Sequence, residues 1–142
     1  MTERLAYTIV NVDDDDAGRY AKSRILRRAG HQVMEASTGA DGLRLVAEVK
    51  PQLLLLDVNL PDMSGLEVCR AVKANPSTAD ILILQISASQ ITAKDRVFGL
   101  EGGADAYLTK PVQGNELVAT ARALLRLYSR EQENRELLAA LR

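Results

Sequence analysis

Leu53-Leu54-Leu55-Leu56-Asp57 is the stretch on which the fold turns. Four leucines in a row leave no polar side to a strand, so both faces must be covered, as in the interior of a parallel sheet. Pro51 stands just before the run, and Pro61-Asp62-Met63-Ser64-Gly65 opens a loop just after it. Asp57 falls where the strand should leave the core. The same arrangement recurs along the chain. Tyr7-Thr8-Ile9-Val10-Asn11-Val12 ends in Asp13 and Asp14, and Ile81-Leu82-Ile83-Leu84-Gln85-Ile86 ends in the hydroxyl Ser87. The short run Ala106-Tyr107-Leu108 ends near Lys110-Pro111.

Between these runs lie stretches of helical period. Tyr20, Ile25, Leu26 and Ala29 mark a first helix closed by Gly30, and residue 16 is the candidate for its cap. His31–Ala36 reads as a second strand. Ser37 or Thr38 should cap a second helix, which carries Leu43, Leu45, Val46 and Val49 and stops at Pro51. A third helix, about Leu66–Ala74, should end at Asn75-Pro76. A fourth should run from about Thr92 to Glu101, and a fifth should begin near Asn115. Strand and helix alternating five times predict right-handed crossovers and a three-layer α/β/α domain around a doubly wound five-stranded parallel sheet. In the flavodoxin-like order 2-1-3-4-5, ligands bind at the carboxyl ends of strands one and three, where Asp13, Asp14 and Asp57 lie. That coincidence favours this order.

The 142 residues suit one domain with a full core, and the net charge of −1 gives no electrostatic reason to expect a nucleic-acid or membrane partner. One cysteine cannot close an internal disulfide, which favours a reducing compartment. Cys69 shares a helical apolar face with Leu66 and Val72 and reads as a buried thiol. The chain shows no apolar run of membrane-spanning length and no signal peptide, so a cytoplasmic location is expected. His31, the single histidine, has no partner at metal-ligand spacing.

Three carboxylates brought together repel one another, and a hard divalent cation, Mg²⁺ or Mn²⁺, would remove that penalty. With Asp57 as oxygen nucleophile and Lys110 and Ser87 able to neutralise phosphoryl oxygens, the set predicts phosphoryl transfer to an aspartate. Four segments then carry a specific resemblance. They are Val12-Asp13-Asp14, Leu56-Asp57-Val58-Asn59-Leu60-Pro61-Asp62-Met63-Ser64-Gly65, Ile86-Ser87-Ala88, and Ala104-Asp105-Ala106-Tyr107-Leu108-Thr109-Lys110-Pro111. In this order and spacing the chain resembles the receiver domain of bacterial two-component response regulators, over about residues 5–128.

The resemblance implies that Asp57 accepts phosphate from a histidine kinase or phosphotransfer protein. It implies that Asp14 ligates the metal directly, Asp13 directly or through water, and Asn59 through its backbone carbonyl. Lys110 would pair with Asp57 and then with the phosphoryl group, and the Lys110-Pro111 bond would be cis. Ser87 would turn toward the phosphate and Tyr107 would swing inward, changing the surface formed by helix four, strand five and helix five. A partner or output domain would read that surface, so the chain is expected to signal rather than to turn over a substrate. Some features depart from the pattern. Ser87 stands where threonine is also common, Asn11 and Gln85 are polar in strands that should be buried, and Asp15 and Asp16 lengthen the acidic run.

Rival readings are a receiver fragment of a hybrid histidine kinase, a haloacid dehalogenase-like phosphatase and a partner-binding pseudo-receiver. The phosphatase would need an acid two residues after its nucleophile, where this chain has Asn59. The complete acid, hydroxyl and lysine set speaks against the pseudo-receiver. Residues 1–128 are expected to form the receiver domain, and 129–142 a helical extension or linker. That extension carries Glu131 and Arg135 at helical spacing, then Leu137, Leu138 and Leu141. It is too short for a helix-turn-helix domain. Three readings of it stay open: a frayed linker, a helical connection to a further domain, and a homodimer through this extension or through the face of helix four, strand five and helix five. The cognate kinase, stimulus and output are not written in these residues.

Overall fold

The computed structural model describes residues 7–88, 97 and 102–141. Five strands are present: β1 (Thr8–Val12), β2 (Gln32–Ala36), β3 (Leu53–Asp57), β4 (Leu82–Ser87) and β5 (Ala106–Thr109). All neighbours are parallel, and the order is β2-β1-β3-β4-β5. Around the sheet lie α1 (Asp16–Arg28), α2 (Gly39–Val49), α3 (Gly65–Ala74) and a C-terminal helix (Gly114–Ala140). The doubly wound α/β fold expected from the sequence is the observed one, with strand limits within a residue of the expected ones. The predicted fourth helix, 92–101, lies outside the described residues apart from Val97.

The unbroken leucine run has a direct explanation in this sheet. Leu53 and Leu55 point to one face and join Ile9, Leu26, Leu84, Leu117 and Leu124 in a core under α1 and the C-terminal helix. Leu54 and Leu56 point to the other and join Val10, Val12, Val46, Val68 and Val72 under α2 and α3. All four leucines are fully buried. Each such side chain supplies roughly 1.5–3 kcal/mol of burial free energy. The covered strand β3 therefore locks the middle of the sheet, and Asp57 emerges at its end.

Side-chain caps set the helix starts. Thr38 accepts from the Asp41 amide at 3.1 Å, and Ser64 from the Glu67 amide at 3.1 Å. The cap of α1 is Asp15 and not residue 16. Asp15 has extended backbone, φ −83 and ψ 112, and its carboxylate accepts from the Gly18 amide. Asp16 is already helical and pairs with Arg19 at 2.7 Å, the i, i+3 geometry of a first-turn acid. Gly30, at φ +99, ends α1 in a conformation that a side chain would oppose.

The polar strand residues are buried. Asn11 donates from Nδ2 to the Arg19 carbonyl and to Ser23 Oγ, both at 3.0 Å, tying β1 to α1. Gln85 is buried beside Tyr107, its register partner on β5. The C-terminal helix continues unbroken past Tyr128. It is held at the amino-terminal edge of the sheet by a hydrogen bond between Ser129 and Tyr7 and by an ion pair between Arg135 and Asp80. Beyond Arg135, Leu137, Leu138 and Leu141 are exposed. Among the described residues, no helix is long and apolar enough to cross a membrane.

Candidate functional site

The carboxyl ends of β1, β3, β4 and β5 converge, and the chemistry-bearing side chains come with them. Oxygens of Asp13, Asp14 and Asp57 lie within 4.8 Å of one another. Asp13 and Asp57 are almost fully buried, at 1% and 3% exposure, while Asp14 is open to solvent.

The two buried carboxylates are held in the same way. Asp57 accepts from the Asn59 amide at 2.9 Å through Oδ1, and its Oδ2 pairs with Lys110 Nζ at 2.7 Å. Asp13 accepts from the Asp15 amide at 2.9 Å through Oδ1, and its Oδ2 pairs with Lys22 Nζ at 2.7 Å. Each acid thus has one backbone donor and one ammonium. Backbone amides two residues further along fix both orientations. Lys110 follows β5, and the Lys110-Pro111 bond is cis.

The electrostatics follow from these pairs. Burial pushes the Asp13 carboxyl up, but Lys22, the Asp15 amide and Lys110 outweigh it and hold it below the usual carboxylate range. Burial pulls the Lys110 ammonium down, but its bond to Asp57 and the fields of Asp57, Asp13 and Asp14 raise it above the usual lysine range. At neutral pH the cluster therefore has its lysine charged and Asp13 ionised.

The donor set fits a magnesium-like ion. All three side chains offer hard oxygen atoms. Metal–oxygen bonds of about 2.1 Å put octahedral neighbours roughly 3–4 Å apart, so carboxylates 4.8 Å apart at most need a small adjustment or one bridging water. A Cβ at Gly18 would come within 2.8 Å of Asp15 Oδ2 and 3.2 Å of Asp13 Oδ2. The missing side chain keeps the approach to the acids clear.

Of the predicted site residues, the structure brings Asp13, Asp14, Asp57 and Lys110 together. Asn59 is exposed on the loop after β3 and bridges antiparallel to Ser64. Ser87 is buried at the end of β4, and its hydroxyl donates to the Ala88 carbonyl at 3.4 Å. Tyr107 is half-buried on β5. Lys22 is the residue that sequence reasoning missed. A signal was present, because Lys22 stands four residues before the buried Leu26, on the inward stripe of α1 directly behind an acidic run.

Comparison with known proteins agrees with this geometry. The family model for the response regulator receiver domain matches residues 9–122. The transcriptional regulatory protein AfsQ1 of Streptomyces coelicolor is 44% identical over 124 residues, which is 87% of this chain and 53% of that protein. The DNA-binding dual master transcriptional regulator RpaA of Synechocystis is 40% identical over 86% of this chain and 50% of its own length. The chain thus spans about half the length of the curated relatives it matches. Among solved structures, a putative response regulator from Chloroflexus aurantiacus superposes with a TM-score of 0.81 at 33% identity, covering 86% of this chain and 99% of that one. A CheY-like receiver domain protein from Methanospirillum hungatei gives 0.82 at 29% identity, covering 89% and 99%.

Proposed function

Because the chain belongs to the response regulator receiver domain family of two-component signalling, we propose that Asp57 is its phospho-acceptor and that phosphorylation switches the surface around β5. One observation carries this reading. Asp57 is 3% exposed at the end of a wholly buried strand, yet its carboxylate lies 2.7 Å from Lys110 Nζ and within ligand distance of two further acids.

The donor is a phosphohistidine of a kinase or phosphotransfer protein. An Asp57 carboxylate oxygen forms a bond to phosphorus as the phosphorus–nitrogen bond breaks, and the imidazole leaves and takes up a proton. Asp13, Asp14 and Asp57, with the Asn59 carbonyl, would hold Mg²⁺ or Mn²⁺, which when bound neutralises phosphoryl oxygens. Lys110 exchanges its carboxylate partner for a phosphoryl oxygen without leaving the site. The Asn59 amide keeps the attacking group oriented. Phosphorylation adds roughly −1.5 to −2 charges at residue 57. That favours the conformer in which Ser87 turns its hydroxyl to the phosphate and Tyr107 follows inward, a population shift that a partner reads. Asn59 stands where a phosphatase of similar scaffold would need its acid, so slow self-hydrolysis rather than turnover is expected.

The test is to incubate the chain with acetyl phosphate and Mg²⁺, or with beryllofluoride, and follow the mass of the intact protein or fluoride binding. One phosphoryl group should be gained, and Asp57→Asn should gain none. Equal labelling of Asp57→Asn would refute the assignment.

A further inference from the structure

We propose that Lys22 is a built-in countercation of the acid pocket, competing with the divalent cation for Asp13 and so setting how much metal the site needs. The inference rests on the metal reading of the three acids given above.

Lys22 lies on the inward side of α1 with Ser23 and Leu26, and it is 9% exposed. A leucine or methionine there would share the cleft lined by Ile25 and Leu117 without bringing a charge out of water. Burial of an ammonium is unfavourable unless it is paired, so the position makes sense only through its partner. That partner is Asp13 Oδ2 at 2.7 Å, on the most buried of the three acids. Lys22 lines a cleft of about 350 Å³ between α1 and the start of the C-terminal helix, and Lys110 lines it too.

In the metal-free pocket two ammonium groups therefore face three carboxylates. Lys110 answers Asp57 and Lys22 answers Asp13, so the acids are largely neutralised from within. A dication entering at Asp13 must share or displace a charge-assisted bond of ordinary short length. It also meets a positive group one carboxylate away. Both effects weaken metal binding, while the same ion pair keeps the pocket folded when metal is absent. Lys22 thus acts as a positioning residue, acting on the ligand set through Asp13.

The experiment titrates Mg²⁺ alone into the wild type and into Lys22→Met, Lys22→Gln and Lys22→Arg, reading the melting temperature to obtain the dissociation constant. Both neutral variants should bind Mg²⁺ at least about fivefold more tightly, or roughly 1 kcal/mol at 1.4 kcal/mol per tenfold. They should melt lower than wild type without metal and recover that difference as Mg²⁺ is added. Lys22→Arg keeps the charge and should stay within about twofold of wild type. A lysine with a merely structural role would lower the melting temperature equally at every Mg²⁺ concentration and leave the constant unmoved, which overturns the inference. So would neutral variants that stay unfolded at saturating Mg²⁺. If the wild type itself shows no Mg²⁺-dependent shift, the metal reading fails, a result distinct from a wild-type shift that Lys22→Met leaves unchanged.

Discussion

Gly65→Ala should lower stability and disturb Asp57 together, because the same few atoms support both. Gly65 is the first residue of α3, and its amide donates to the Val58 carbonyl at 2.7 Å. A Cβ there would stand 2.7 Å from the Asp57 carbonyl oxygen and 2.8 Å from Val58 Cα. Those are backbone atoms of the strand end and cannot rotate away. Inserting a methyl group into such a contact costs about 1–3 kcal/mol. Reduced freedom of the unfolded chain returns about 0.4–1 kcal/mol. The middles of the two ranges leave a net loss of about 1.3 kcal/mol.

An unfolding entropy of about 2.1 cal/mol/K per residue gives roughly 0.3 kcal/mol/K over 142 residues, so the melting point should fall by roughly 4 °C. The push also moves the Asn59 amide that holds Asp57 Oδ1, so beryllofluoride affinity should drop with it. Gly114→Ala is the control. It too is the first residue of a helix, but its nearest neighbour would be Ile25 Cδ1 at 3.5 Å, an ordinary contact with a flexible group. Calorimetry should find Gly114→Ala neutral or slightly stabilised. Equal melting temperatures for the two variants would refute the reasoning.

Three other outcomes are expected. Mg²⁺ at ten times its dissociation constant stabilises the fold by about 1.4 kcal/mol, which by the same entropy is roughly 5 °C; Asp14→Ala should lose that shift in a thermal melt, and retention of the full shift would place the metal elsewhere. The Ala40 and Gly39 amides at the start of α2 hold the Asp62 carboxyl below the usual carboxylate range. A depressed folded value means that the stabilisation is present above the unfolded value of about 3.9 and is lost as pH falls through the folded one. Between pH 5 and 3 the melting temperature of wild type should therefore fall more steeply than that of Asp62→Asn, and parallel curves would refute the linkage. Finally, burial pushes the Cys69 thiol up to about 11. At pH 8 a thiol reagent should label native protein about a hundredfold more slowly than denatured protein, and comparable rates would show an accessible thiolate.

What could be read beforehand was whatever depends on short-range pattern. The leucine run, its proline and its aspartate placed β3 to the residue, and the order of strand ends puts Asp13, Asp14, Asp57 and Lys110 at one rim of the sheet. The contacts that escaped depend on distance along the chain or on a single rotation about a helix. Tyr7 meets Ser129 across 122 positions, and Asp80 meets Arg135, so neither pair leaves a local trace. Asp15 and Asp16 differ by one step at a helix start, where backbone angles decide which one caps. Lys22 escaped because a lysine in an amphipathic helix reads as solvent-facing, which outweighs its inward spacing to Leu26 until the acids of β1 stand opposite it.

The C-terminal helix gives the molecule a stiff strut. Its first residue, Gly114, comes just after Lys110-Pro111, and its 27 residues span about 40 Å at 1.5 Å each. Fastened to Tyr7 and Asp80 at the far margin, it links the acid-bearing rim of the sheet to the opposite one through a single member that scarcely compresses. The stretch beside Lys110 and the stretch gripped by Asp80 therefore belong to one unbroken rod.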